Sequence, residues 1–187
     1  MRIKNVSLYI IKLCLFTSIS SYAFSMDKTT ATTISQQLFN AGDQHYKRTE
    51  YALAIPFFQQ AAELGNPEAM NRLGIMYRFG GHDVEINYEQ AVHWFEQAAQ
   101  FNYPDAINNL GIMYEYGYGV DVDYPYAAAL YRQAIELHHR DALFNLARLY
   151  HDGFGVTQDQ QRAEELYRQA DPRGHGLAGI VLSLMSH

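Results

Sequence analysis

Two groups of side chains have the types and spacing to hold a metal ion. His93 stands between Glu89 and Glu96 at helical spacing, and His138-His139 lie just before Asp141. A zinc site needs three or four converging ligands. Neither group shows a second ligand pair at a matching distance, so both read as solvated helix surface. Adjacent carboxylates such as Glu164 and Glu165 point to different sides of a helix and read as a wetted face. Nucleophiles are scarce: there is no lysine after Lys47, no serine between Ser35 and Ser183, and one cysteine, Cys14. Schiff-base, Ser-His and Cys-His mechanisms therefore lack their central residue through the middle of the chain. The run Gly117-Tyr118-Gly119-Val120 has the composition of a phosphate-cradling loop but neither the preceding strand nor the following lysine that such a loop uses. The expectation is a protein that is not an enzyme, with no catalytic residue, no metal and no cofactor.

The same residues fall into a repeat. Leu73-Gly74, Leu110-Gly111 and Leu146-Ala147 recur in register, followed by Tyr77, Tyr114 and Tyr150, at a period of 37 and then 36 residues, and then Ala91, Ala127 and Ala163 at 36 throughout. A period of this size marks stacked helical pairs, none of which can hide its apolar face alone.

On a helical wheel, the first helix of the second repeat gathers Ala69, Met70, Leu73, Gly74, Met76 and Tyr77 on one side and Glu68, Asn71, Arg72, Ile75, Arg78 and Phe79 on the other. The split recurs over 105–116 and 141–152. Gly74, Gly111 and Ala147 are small because a neighbouring helix approaches there, and Pro67 and Pro104 sit where a helix starts. Glycine turns follow at 80–81, 117–120 and 153–156. Asn87, Asp123 and Asp159 are suited to cap each second helix. Upstream, Leu38 to Tyr46 and the pattern Ala54, Phe57-Phe58, Gln60-Ala61 form a first repeat with a short link and no glycine turn, an N-terminal cap. Downstream, Ala178 and Leu182 keep the register, so 177–185 is a first helix covering the last apolar face.

The N-terminus differs from the rest. Arg2 and Lys4 precede an apolar stretch and then Ala23-Phe24-Ser25, the pattern of a secretory signal peptide over 1–25. Its cleavage would remove the cysteine and leave 11 Lys and Arg against 20 Asp and Glu. An acidic chain without a basic stripe repels nucleic acid and anionic membrane surfaces. Residues 26–34, polar and patternless, read as a flexible leader. The expected domains are thus a signal peptide (1–25), a leader (26–34) and a repeat domain (35–187) with units at about 35–66, 67–103, 104–139 and 140–175 and a cap at 176–187. The expected location is the periplasm, with secretion as the alternative, and no stable membrane insertion follows cleavage.

The string Ala61-Ala62-Glu63-Leu64-Gly65-Asn66-Pro67-Glu68-Ala69, the Leu-Gly-x-x-Tyr steps and the Tyr-x-x-Gly-x-Gly-Val turns at 114–120 and 150–156 resemble Sel-one-like repeats, relatives of the tetratricopeptide repeat. The resemblance covers about 36–187. It implies an all-α fold, an α-α superhelix of about four antiparallel hairpins with a C-terminal capping helix, used as a protein-binding adaptor. Some exported relatives carry a cysteine pair in each repeat and have been linked with penicillin binding; this chain has no such pairs. The second repeat departs from the pattern by one extra residue and by Asp83 where glycine is usual, and Asp83 is expected to take up the left-handed backbone.

If first helices line a concave wall, as in tetratricopeptide arrays, their polar arcs form a ladder for a protein or peptide partner. It runs Phe39, Asn40, Asp43 and Tyr46; Asn71, Arg72, Ile75, Arg78 and Phe79; Asn108, Asn109, Ile112, Glu115 and Tyr116; Phe144, Asn145, Arg148 and His151. Aromatics, Arg and Asn in one stripe are what interfaces favour. The leading expectation is a monomeric, non-catalytic envelope adaptor. The alternatives are a periplasmic inhibitor of a basic toxin or enzyme, and a cell-wall hydrolase or β-lactamase-like enzyme.

Overall fold

Three of the hairpins close on a glycine that leaves no room for a side chain. A computed structural model describes residues 27–172 and 176–185, which hold helices and one isolated bridge between Gly81 and Val84. The helices are α1 (Lys28–Lys47), α2 (Tyr51–Glu63), α3 (Pro67–Phe79), α4 (Tyr88–Ala99), α5 (Pro104–Tyr116), α6 (Tyr124–Glu136), α7 (Arg140–Asp152), α8 (Gln160–Ala170) and α9 (Leu177–Met185). They pack in consecutive pairs, α1 with α2 through α7 with α8. A methyl group on Gly74 would run into the Phe95 ring, one on Gly42 would lie 2.9 Å from Phe58, and one on Gly111 would lie 2.6 Å from Tyr131. The glycine of each of the first three first helices therefore admits the large aromatic ring of its own second helix. Phe58, Phe95 and Tyr131 are consequently among the most deeply buried side chains.

The predicted boundaries follow from capping. Asn87, Asp123 and Asp159 accept hydrogen bonds from the backbone N–H of Gln90, Tyr126 and Arg162, each at 2.9 Å. Pro67 and Pro104 open α3 and α5, where no intrahelical N–H donor is needed. Helices α1–α4 form one compact unit and α5–α9 another.

Three expectations need correction. The leader expected over 26–34 is helical from Lys28. Asp27 accepts from the Thr30 backbone N–H at 3.0 Å and from its hydroxyl at 2.6 Å. The hydroxyls of Thr32 and Thr33 donate to carbonyls one turn back, and Ile34 and Ser35 are buried. A polar segment without apolar period argued for a loop, whereas back-bonded hydroxyls satisfy themselves within the helix.

Second, Asp83 is not in the left-handed region; among non-glycine residues only Thr49, Asn102 and His138 are, of those described. Its Oδ2 instead accepts from the Ala52 backbone N–H at 2.9 Å, capping α2, whose own N-cap residue Glu50 makes no side-chain cap.

Third, α9 packs on α8 through its small residue, burying Ala178, while Leu177, Ile180 and Leu184 stay exposed. It covers part of the last face and presents an apolar face of its own. The signal peptide expected over 1–25 and Met26 lie outside the described residues. No described helix is long and apolar enough to cross a membrane.

Candidate functional site

In the second unit, α5 and α7 meet through polar side chains. Asn145 Nδ2 donates to Asn108 Oδ1 at 2.9 Å, and Arg148 Nη2 donates to Glu115 Oε1 at 2.5 Å. From α6, the Tyr131 hydroxyl donates to Glu115 Oε2 at 2.6 Å. Glu115 is 5% exposed. A carboxylate at that depth is tolerated only when paired and hydrogen-bonded, and here both oxygens are engaged. The Arg148 guanidinium also lies over the Tyr116 ring, 5.4 Å from its centroid. Burial, with the negative charge of Glu115 beside it, holds the Tyr131 hydroxyl protonated well above the ordinary tyrosine range.

The first unit has a looser version on α1 and α3. Arg72 approaches Asp43 at 3.8 Å and lies 4.8 Å over the Tyr46 ring, while Lys47 pairs with Asp43 at 2.6 Å. Each unit thus places an arginine of one first helix across a carboxylate and an aromatic ring of the preceding one.

Of the predicted ladder, the structure brings Asn108, Glu115, Tyr116, Asn145 and Arg148 into contact in one unit. Arg72 joins Asp43 and Tyr46 in the other, and Arg78 stacks on Phe79 at 4.7 Å. Asn40, Phe79 and Tyr116 are exposed; Ile75, Ile112, Asn109, Phe144 and His151 are half-buried. Four residues are not on the surface as the wheel suggests: Phe39, Asn71, Asn108 and Glu115 are buried. Phe39 packs on Phe58 with ring centroids 5.5 Å apart, and Asn108 and Glu115 are covered by α7. A single-helix wheel separates a helix from its hairpin partner but does not register the next first helix across it. Phe144 likewise turns its ring onto Tyr167 at 5.2 Å.

Beside these residues the second unit holds a cavity of about 1010 Å³. It is lined by Arg140, Asp141, Phe144 and Asn145 of α7, Ala170 at the end of α8, Asp171, Pro172 and Gly176, and Leu177 and Ala178 of α9. Arg140 Nε donates to the Ala170 carbonyl at 2.7 Å and Gly176 N–H to Asp171 at 2.5 Å, so the rim is held in shape. Sequence reasoning missed Tyr131 and the rim residues Arg140 and Leu177, and weighed Asp141 only as a metal ligand. An acid at 115 followed by an arginine 33 residues later, close to one repeat, was the available signal.

Among the described residues no cluster of His, Cys, Asp and Glu could hold a metal ion. His139 caps α7 through Nδ1, which accepts from the Ala142 N–H at 3.3 Å, and its Nε2 faces Asp105 at the same distance. Since Glu115 is tied to Arg148 and Tyr131, the surface offers amides, guanidinium groups and aromatic rings, which are groups that bind.

Helix hairpins stacked so that successive first helices exchange side-chain contacts define the α-solenoid class of repeat protein. The Sel1 repeat profile matches residues 39–66, 67–100, 104–139 and 140–170, and the chain belongs to that family. It is similar to a Sel1 repeat protein from Oxalobacter formigenes, 33% identical, covering 79% of this chain and 60% of that one with a TM-score of 0.71. It also resembles c5321, a protective antigen of uropathogenic Escherichia coli strains with an SLR fold, at 30% identity, 89% and 35% coverage and a TM-score of 0.69. The chain therefore spans less than two thirds of either relative. Helicobacter pylori cysteine rich protein B, 22% identical with 68% and 96% coverage and a TM-score of 0.52, shares the fold. No curated protein matches the sequence. Sel1 repeats generally serve as protein-interaction scaffolds and are typically non-catalytic.

Proposed function

We propose that this chain is an exported envelope adaptor that binds a protein or peptide partner on its first-helix face, with the α7–α9 cavity as the main seat. The observation that carries this reading is the cavity itself. It has the volume to enclose several side chains, Phe144 and Asn145 of the predicted ladder line it, and Leu177, 70% exposed, stands at its edge. One amide, Asn145, and the Arg140 guanidinium beside the apolar Phe144, Leu177 and Ala178 suit a partner segment that buries one or two large side chains and bonds its backbone to Asn145 and Arg140. The signal-peptide pattern at the N-terminus supports the periplasm as the place of action.

Two measurements test this. Affinity capture from native envelope extract should recover a partner with the wild-type chain and lose it with Asp141→Lys/Leu177→Asp, both exposed positions, while far-UV circular dichroism stays unchanged. Undiminished capture by that variant would remove the cavity from the interface. Osmotic-shock fractionation with mass spectrometry should find the chain in the periplasmic fraction starting at Met26; full-length chain in the cytoplasm would refute export.

A further inference from the structure

The turn that departs from the repeat pattern builds a second recess, in the first unit. Phe79, Gly81, His82, Asp83, Val84, Glu85 and Ile86 enclose about 570 Å³. Two large apolar side chains stand there in water: Phe79 is 64% exposed and Ile86 55%. Scattered exposed apolar residues are ordinary; two of them on one fixed loop, around one recess, are a patch.

The loop is pinned at four points. Gly81 N–H donates to the Val84 carbonyl at 2.8 Å, Asn87 N–H to the Tyr77 carbonyl at 2.8 Å, and Gly80 N–H to Met76 at 2.8 Å. Asp83 ties the loop to the start of α2. Gly80 has φ of 64°, and a methyl group there would lie 2.9 Å from both Ile86 Cγ1 and the Val84 carbonyl, so the loop folds down onto a position only glycine fills without strain. The extra residue of this repeat is therefore part of a preformed shape, and a ligand entering it has little ordering cost to meet.

Charge names the occupant. Of the residues around the recess, Asp83 and Glu85 are exposed carboxylates, His82 stands beside them, and none is a lysine or arginine. Arg78, next to Phe79 in the chain, lies over its ring. An apolar recess with a carboxylate rim complements a segment in which large apolar residues alternate with lysine or arginine. We infer that the 79–86 turn is a docking site for such a basic, apolar segment of a partner protein, separate from the α7–α9 cavity.

Fluorescence anisotropy on the full-length mature chain tests the inference with three short labelled peptides: alternating Lys and Leu, alternating Glu and Leu, and alternating Lys and Ser. The Lys-Leu peptide should bind and weaken as salt rises, and the other two should bind at least about tenfold more weakly. Phe79→Ser/Ile86→Ser should reduce Lys-Leu binding by about tenfold or more, and Glu85→Lys, an exposed change that leaves packing intact, by several-fold. Asp141→Lys/Leu177→Asp should leave it unchanged, which separates this site from the function proposed above. Failure of the Lys-Leu peptide to bind, equal binding of either control peptide, or full affinity in Glu85→Lys would overturn the inference.

Discussion

Arg148 is the residue whose loss the structure prices most clearly. It is one of two groups that donate to the buried Glu115 and the charged one of the pair, the other being the neutral Tyr131 hydroxyl. Arg148→Met keeps the aliphatic stem and removes only the guanidinium, leaving a carboxylate at 5% exposure with one neutral donor. Breaking a fully buried pair from one side costs about 3 to 5 kcal/mol. Because the Arg148 side chain is 31% exposed, solvent screens its end, and about 2 to 3 kcal/mol is the discounted expectation. Glu115→Gln should cost less, about 1 to 2 kcal/mol, since the amide still accepts from Tyr131 and the arginine can turn to water. The double variant buries no charge, so its loss should fall short of the summed single losses by about 1 to 2 kcal/mol. Urea denaturation followed by far-UV circular dichroism gives the three values, and amide exchange in α5 and α7 tests locality, since repeat arrays open unit by unit. A loss below about 0.5 kcal/mol for Arg148→Met, or strict additivity in the double variant, would refute the claim that this pair and its burial hold α5 to α7.

Tyr131 makes stability depend on alkaline pH. Its folded hydroxyl keeps its proton while an unfolded tyrosine ionises near about pH 10, so its contribution is complete below that pH and falls as pH rises above it. Urea midpoints measured from about pH 8 to 11 should show a decline that Tyr131→Phe flattens; an unaltered slope would contradict the assignment. Gly74→Ala should cost about 1 to 3 kcal/mol, because the obstacle is the side-chain ring of Phe95 and not backbone. Gly155→Ala should cost roughly 3 kcal/mol or more, because at φ of 68° its methyl group meets the backbone of Tyr124 and Pro125. Thermal melts that reverse this order would show that the turn yields more readily than the hairpin core.

Much of what short-range chemistry sets was legible in the chain, the Asp27-capped start of α1 excepted. Asn87, Asp123 and Asp159 announce helix starts because a side-chain oxygen can reach an amide three residues on, whatever lies elsewhere. Gly42, Gly74 and Gly111 announce close approach because a missing Cβ has few other uses inside a helix. The all-α repeat and its period followed from such local signals. Tertiary structure decided how the polar arc of each first helix is used. Phe39, Asn71, Asn108 and Glu115 share that arc with Phe79 and Tyr116, yet the first four are buried and the last two exposed. A wheel contains no neighbouring repeat, so it could not distinguish them. Asp83 makes the same point. Its type predicted a left-handed turn, and only the approach of α2 gave its carboxylate a free amide to cap. The sequence determines what each helix can bury, because that is a property of its own period; which polar groups meet is decided by the stacking of one hairpin on the next, because those partners lie some thirty residues apart.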